Sequence, residues 1–258
     1  MVKIIFKSEK YLKYLLLAAI SIISITSILL IFNSSSVRTV FSGSNRETPI
    51  YSVNCSEKKA AITFDCAWGA DDIPEILQTL KKENIKATFF IVGQWAEKYP
   101  DTVRMIFQDG HDIANHSYSH LRMGALDRGR INSEIQLCGK KLEELVNGKI
   151  ELFRPPYGDY SNNVVEAARE LGYYTIQWNV DSLDWKPDIS RDEILARICT
   201  KINPGSIMLF HNDTAHTAHM LPDIISAIKG MGYELLPVSE LILRENYIID
   251  FEGRQKKK

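Results

Sequence analysis

From Lys58 onward, short apolar runs alternate with longer stretches whose apolar positions recur at helical spacing. The predicted strands cover residues 60–64, 86–92, 111–115, 152–154, 174–180, 206–210 and 234–238, and the predicted helices include residues 73–83, 103–107, 131–146, 164–171, 192–202 and 221–229. Strands that alternate with helices are typical of parallel sheets, because a parallel connection needs a long return segment. The pattern therefore predicts an α/β sheet or barrel and disfavours all-β and helical-bundle folds.

The N-terminal part of the chain has a different pattern. Residues 15–32 form an uncharged run of 18 residues, close to the roughly 20 that span a bilayer, and four lysines precede the run. By the positive-inside rule we expect a single-pass membrane protein with its folded part outside the cytoplasm; a cleaved signal peptide and secretion are the alternative. The expected organisation is a cytoplasmic N-terminus (1–13), a transmembrane anchor (14–32), a linker (33–56), a folded domain (57–245) and a basic tail (246–258).

Composition excludes some partners. The formal net charge is −1, from 31 basic and 32 acidic side chains, so no basic surface favours nucleic acid. The four cysteines have no CxxC spacing, and a core of this size does not need a disulfide framework. We expect a monomeric globular domain with neither nucleic-acid partner nor disulfide framework.

The polar residues that carry chemistry fall where the predicted strands end. They are Asp65, His116, His120, Arg154, Asp181, Asp184 and His211. The carboxyl ends of parallel strands meet at one edge of a sheet or barrel, where active sites are built. His116 and His120, four positions apart on a helical turn or a tight loop, could direct both imidazoles at one cation, although such pairs also occur as ordinary surface or core residues. The other polar residues predicted at the same strand ends favour metal binding by the two histidines.

Five motifs resemble those of polysaccharide deacetylases, the carbohydrate esterase family with a NodB-homology domain. They are Thr63-Phe64-Asp65, His116-Ser117-x-x-His120, Arg154-Pro155-Pro156-Tyr157-Gly158, Asp181-x-x-Asp184-Trp185 and Leu209-x-His211. The layout is similar to that of membrane-anchored, sporulation-type members. The resemblance implies a distorted (β/α) barrel of about seven parallel strands and metal-dependent removal of N-acetyl groups from peptidoglycan or chitin-like polysaccharide. Zn²⁺ is the expected metal, with Co²⁺, Ni²⁺ or Mn²⁺ as alternatives.

The resemblance also implies a role for each matched residue. Asp65 would be the general base, oriented by Arg154, and His211 the general acid, tuned by Asp184. His116 and His120 would ligate the metal. Tyr157 would donate its backbone N–H to the oxyanion, while Trp185 and Leu209 would form an apolar wall around the acetyl group. For Asp181 a strand-end hydrogen bond is as good an interpretation as a catalytic role.

The sequence departs from the family at Cys66, where most active members carry a second aspartate as third metal ligand. A thiolate is a good zinc ligand, but a buried thiol is equally typical of core packing. Asp72 is our preferred third ligand, with Asp71, Cys66 or water as alternatives; Asp72 also precedes a predicted helix, where aspartate is a common N-cap. The departure supports a second hypothesis, a weak or inactive domain that binds glycan or has a structural role. A metallopeptidase is disfavoured, because Ser117 stands where HExxH has its glutamate.

Overall fold

The computed structural model describes Tyr14 and residues 46–258. Among these residues no helix is long and apolar enough to cross a bilayer. The predicted cytoplasmic segment and, apart from Tyr14, the predicted anchor lie outside the described residues.

The strands are β1 Ser52–Val53, β2 Lys59–Cys66, β3 Thr88–Ile91, β4 Asp112–Asn115, β5 Leu152–Phe153, β6 Tyr174–Thr175, β7 Val180–Asp181, β8 Ser206–His211, β9 Glu234–Leu235, β10 Tyr247–Ile249 and β11 Arg254–Lys257. The helices are α1 Ile73–Lys82, α2 Gly93–Lys98, α3 Pro100–Gln108, α4 Arg128–Val146, α5 Asn162–Glu170, α6 Arg191–Lys201, α7 Thr217–Gly230 and α8 Val238–Leu241.

The centre of the fold is a row of parallel strands in the order β7-β8-β2-β3-β4-β5-β6. This row confirms the predicted α/β class. Within the described residues no ladder joins β6 to β7, so the sheet is an open half-barrel rather than a closed barrel. The single bridge from Ile50 to Ile176 lies where the chain leaves β6. The carboxyl ends of the row therefore form one curved rim.

Strand β2 is buried on both faces, as is usual for a central strand of a parallel sheet. Its even-numbered residues Ala60, Ile62, Phe64 and Cys66 belong to the large apolar cluster shared with α1, α6 and α7. Its odd-numbered residues lie on the opposite face: Ala61 packs in a second cluster with Phe90 and Ile207, and Asp65 lines a cavity. Because successive side chains in a strand point to opposite faces, Asp65 and its neighbour Cys66 are separated by the sheet.

Local sequence signals explain where the helices begin. Helix α6 has a capping box, in which the Ser190 hydroxyl accepts from the Glu193 N–H and the Glu193 carboxylate accepts from the Ser190 N–H. The Asp127 side chain caps α4 by accepting from the Arg130 N–H. Helices α1 and α3 carry proline in their first turn, where its missing N–H costs nothing.

Three segments differ from the predicted pattern. Residues 174–180 are split between β6 and β7, because the chain changes its partner from β5 to β8. Residues 236–238 leave the strand after β9, and helix α8 begins at Val238. Parts of the predicted linker and basic tail are in the sheet: β1 pairs with β8 and β11, and β10 pairs with β11. The folded part therefore extends beyond the predicted limits of 57 and 245.

Candidate active site

A cavity of about 440 Å³ opens at the carboxyl ends of the parallel strands. Strands β2 and β8 run in register, so that Asp65 is the partner of His211. The cavity is lined by Asp65, Ala67, Trp68, His116, His120, Arg122, Tyr157, Trp178, Asp181, Trp185, Leu209 and His211. Five of the seven predicted strand-end residues therefore line one cavity, and Arg154 and Asp184 lie behind it in contact with Asp65 and His211.

Asp65 is held by the buried guanidinium of Arg154. Nη1 of Arg154 donates to Asp65 Oδ1 at 2.6 Å and to Thr63 Oγ1 at 2.9 Å, and Nη2 donates to the Gln177 carbonyl at 3.1 Å. Burial alone would raise the pKa of Asp65, but the charge of Arg154, helped by the nearby histidines, outweighs burial and lowers that pKa. Asp65 is therefore ionised at neutral pH, and its Oδ1 accepts the hydrogen bond from Arg154.

The second oxygen of Asp65 faces His116. Nδ1 of His116 lies 2.8 Å from the Arg154 carbonyl oxygen, which can only accept, so Nδ1 carries the proton. Burial lowers the pKa of His116, which keeps the ring neutral and leaves a lone pair on Nε2. That Nε2 lies 3.4 Å from Asp65 Oδ2. The lone pair of His116 Nε2 is therefore available to a cation that lies beside Asp65.

His120 lies next to His116 in a tight loop rather than in a helix. The two ring centroids are 5.1 Å apart, and burial lowers the pKa of His120 to about 4. Both Ser117 and His120 have a left-handed backbone, with φ of 62° and 56°. The loop is held by the buried Glu134 of α4, whose Oε2 accepts from the N–H groups of Tyr118 and Ser119 at 3.0 and 2.7 Å. Both imidazoles are thus neutral potential metal ligands, as metal binding requires.

The surroundings of His211 raise its pKa, whereas those of His116 and His120 lower theirs. Its Nδ1 donates to Asp184 Oδ1 at 2.8 Å, and its backbone N–H donates to Asp184 Oδ2 at 2.7 Å. The Thr217 hydroxyl also donates to Oδ2, at 2.5 Å. Burial alone would lower the pKa of His211, but the bond to the Asp184 carboxylate outweighs burial and raises that pKa. The cavity thus contains an ionised carboxylate and an imidazole that favours its protonated form.

Aromatic side chains form much of the cavity rim. The Tyr157 ring packs 4.6 Å from the His120 ring, centroid to centroid, and Trp68 meets His120 edge-on at 5.4 Å. Trp68, Tyr157 and Trp185 each expose more than half of their surface, whereas Leu209 is buried in the wall. Exposed aromatic faces beside a polar site are suited to the apolar faces of sugar rings.

The structure does not bring Asp72 to the two histidines. The Asp72 carboxylate accepts from the Asp213 N–H at 2.8 Å and lies 3.5 Å from the Asn212 amide nitrogen, so it joins two loops outside the cavity lining. Asp71 is exposed. Cys66 is fully buried on the helix side of β2, and burial raises the pKa of its thiol well above the usual value. Within the described residues, no group of three or more His, Cys, Asp or Glu is placed to hold a metal.

Three supporting residues were given no role in the sequence analysis. Glu134 supports the histidine loop, Thr217 supports Asp184, and Thr63 supports Arg154. Asp181 lines the cavity, and its Oδ1 accepts from the Leu183 N–H at 2.8 Å, which is the strand-end hydrogen bond considered above. Glu134 comes 14 residues after His120, the nearest motif residue, so only its burial reveals its role.

The chain is similar to several known proteins. The model of the polysaccharide deacetylase family matches residues 52–176. A peptidoglycan-N-acetylglucosamine deacetylase of Bacillus cereus is 33% identical over 193 residues, which cover 72% of this chain and 89% of that relative. The uncharacterised protein YlxY of Bacillus subtilis is 36% identical over 195 residues, or 75% of this chain; the match spans only 60% of YlxY's own length.

Solved structures agree with these relatives. BA3943 of Bacillus anthracis, described as a CE4 family pseudoenzyme, is 33% identical with a TM-score of 0.73, over 81% of this chain and 73% of that one. A mutant of BA3943 with restored enzymatic activity is 37% identical with a TM-score of 0.72, over 75% and 70% of the two chains. With the half-barrel, the five motifs at its rim and these matches, the chain belongs to the polysaccharide deacetylase family, CE4.

Proposed function

We propose that this protein hydrolyses the N-acetyl amide of peptidoglycan or a chitin-like polysaccharide. The observation that carries the proposal is one cavity in which Asp65 is bonded to the buried guanidinium of Arg154 and His211 to the carboxylate of Asp184, so that the pKa of Asp65 is lowered and that of His211 is raised. Pairs of titratable groups whose environments push their pKa values apart are typical of acid–base catalysis. The related Bacillus enzymes that are named peptidoglycan deacetylases support the choice of substrate.

The chemistry follows from the positions of the two groups. Asp65 accepts a proton from a water molecule, whose oxygen attacks the acetyl carbonyl carbon. The backbone N–H of Tyr157 is the proposed donor to the resulting oxyanion. When the carbon–nitrogen bond breaks, protonated His211 gives its proton to the leaving amine, and acetate and a free amino sugar are released. Arg154 and Asp184 position these two groups and maintain their charge states.

His116 and His120 are the residues that would hold a divalent ion, of which Zn²⁺ is our preferred choice and Co²⁺, Ni²⁺ or Mn²⁺ the alternatives. Such an ion supplies polarisation of the water and of the carbonyl oxygen. Water is the proposed third ligand, since Asp72 and Cys66 lie elsewhere. Trp185 and Leu209 are the proposed walls for the acetyl methyl group.

The test is acetate release by the full-length protein and by its Asp65→Asn variant, with an N-acetylated oligosaccharide and added Zn²⁺. We expect turnover by the wild type and a loss of about 10²- to 10⁴-fold in the variant, because the general base is gone. Bound metal should stay the same in both proteins, because the two histidines remain. Equal turnover by wild type and variant, or no turnover by the wild type with metal bound, would contradict the proposal.

A second candidate is a domain that binds glycan without turnover. It is favoured by Cys66, where active members carry an aspartate, and by the similarity to the pseudoenzyme BA3943. Glycan affinity in the wild type, with no acetate released, would identify this function.

The remaining proposals concern the setting of the domain. We propose a membrane anchor at 14–32 and an extracytoplasmic, monomeric domain that acts in sporulation or cell-wall modification. Protease accessibility of residues 46–258 on intact cells tests the location, since a cytoplasmic domain would be protected.

A further inference from the structure

Arg122 is the exposed cation at the rim of the active-site cavity, and it differs from the other arginines. Eight arginines of the described residues lie within 3.7 Å of a carboxylate oxygen; examples are Arg104 with Asp101 and Arg191 with Asp223. Arg122 makes neither a salt bridge nor a hydrogen bond with any described residue. Its five N–H donors therefore face solvent at the entrance of the cavity.

The Arg122 guanidinium is nevertheless placed by the protein. Its Cζ lies 4.5 Å from the centroid of the Tyr157 ring, and Tyr157 in turn packs on His120. A guanidinium on an aromatic face keeps its edge donors free for a ligand, because the contact uses only the flat face. Arg122 is thus linked through the Tyr157 ring to His120, which lies next to His116.

The charged groups of the cavity leave Arg122 without an ion-pair partner. Arg154 is neutralised by Asp65, and His211 is paired with Asp184. Asp181 also lines the cavity, but no salt bridge joins it to Arg122, and its Oδ1 accepts from the Leu183 N–H. A planar, unpaired guanidinium at a binding site is suited to bidentate recognition of a carboxylate.

From these contacts we infer that Arg122 is a specificity residue that binds a carboxylate on the sugar that carries, or adjoins, the reacting acetamido group. The inference rests on the proposed function and narrows its substrate class from peptidoglycan or chitin-like polysaccharide to glycan that carries a carboxylate. The exposed faces of Tyr157, Trp68 and Trp185 provide apolar contact for the sugar rings, and Arg122 provides the charge that distinguishes the acidic sugar.

A matched pair of substrates tests the inference. One is the disaccharide of N-acetylglucosamine and N-acetylmuramic acid with its lactyl carboxylate free, and the other is the methyl ester of the same disaccharide. The measured quantity is the ratio of kcat/KM for the acid to kcat/KM for the ester. We expect a ratio well above one in the wild type, and a decrease of about tenfold to a hundredfold in Arg122→Gln, the range of a charge-assisted hydrogen bond.

Two further variants separate recognition from a general effect of charge. Arg122→Lys keeps the charge but loses the bidentate fork, so it should keep part of the preference. Arg104→Gln removes an equal charge from helix α3, away from the cavity, and should keep the wild-type ratio. Rising salt should reduce the ratio in the wild type and leave it flat in Arg122→Gln, because an exposed ion pair is screened.

The outcomes distinguish this inference from the proposed function. A ratio near one in the wild type, or the same ratio in Arg122→Gln, would overturn the role of Arg122 even if acetate is released. If neither sugar is hydrolysed, the proposed function fails, and the dissociation constants of the same acid and ester decide the role of Arg122. Equal affinity for the two, or no affinity for either, would overturn it.

Discussion

The side chain at position 66 points away from the histidines because of the alternation along β2. Asp65 faces the cavity and lies on the same face of β2 as Thr63, while Cys66 packs with Phe64 and Ile62 against the helices. A thiol in this environment stays protonated, since burial raises its pKa well above the usual value. Cys66 is thus a packing residue in this structure.

Cys66→Ser tests that assignment. We expect metal affinity to be unchanged, because the side chain does not reach the histidines. We expect the free energy of unfolding to fall by about 1–3 kcal/mol, because a hydroxyl replaces a thiol among apolar neighbours. Isothermal titration with Zn²⁺ and chemical denaturation measure the two quantities. A large loss of metal affinity with normal stability would show that the thiol is a ligand.

The positions of candidate residues could be predicted where a motif and a strand end coincided. Asp65, His116, Arg154 and His211 could be placed at one edge from the sequence because the ends of parallel strands share that edge. Asp72 could not be placed, since it lies in a loop whose path depends on its own contacts with Asp213 and Asn212. The sequence had offered an N-cap as the alternative; Asp72 does precede α1 but makes no side-chain cap bond.

Among the secondary-structure elements, helix α4 both packs against the sheet and holds the loop that carries the two histidines. Its Glu134 is almost fully buried and accepts three hydrogen bonds from residues 118 and 119. A carboxylate that satisfies two backbone N–H groups fixes the path of the loop between the two histidines. From the sequence, Glu134 is one more polar position beside the apolar stripe of a helix, so its role could not be predicted.

Glu134→Gln should loosen the histidine loop. The amide nitrogen of glutamine cannot accept a hydrogen bond, so at least one acceptor is lost and the charge is removed. We expect the free energy of unfolding to fall by about 1–3 kcal/mol and Zn²⁺ to bind more weakly. The matched control is Glu144→Gln, an exposed position of the same helix that lies 4.0 Å from Lys140. Equal effects of the two substitutions would contradict the role of Glu134.

For the whole molecule, the C-terminal residues belong to the fold. Gln255 of β11 is fully buried; its Oε1 accepts from the Leu243 N–H at 2.7 Å, and its Nε2 donates to the Leu243 carbonyl at 2.7 Å. The sequence 254–258 is rich in lysine and arginine, which made a solvated tail the natural prediction. Charged side chains beside Gln255 are equally compatible with a strand, and pairing partners distant in sequence decide between a tail and a strand.

Gln255→Ala measures how much strand β11 contributes to the stability of the fold. The substitution removes both hydrogen bonds to Leu243, so we expect the free energy of unfolding to fall by about 2 kcal/mol or more. Gln136→Ala, at an exposed position of α4, is the control and should change stability by less than about 0.5 kcal/mol. If both variants unfold alike, the C-terminal residues are not part of the cooperative fold.

The central claim is that one cavity holds an ionised base and a protonated acid together. The most direct test is the dependence of kcat/KM on pH, measured for the wild type and for Asp184→Asn. Activity should fall as pH rises through the raised pKa of His211. Without the Asp184 charge, burial dominates and the pKa of His211 falls, so this limb should move to lower pH. The control Asp188→Asn, an exposed position, should leave the profile unchanged. An unshifted limb in Asp184→Asn would contradict the account.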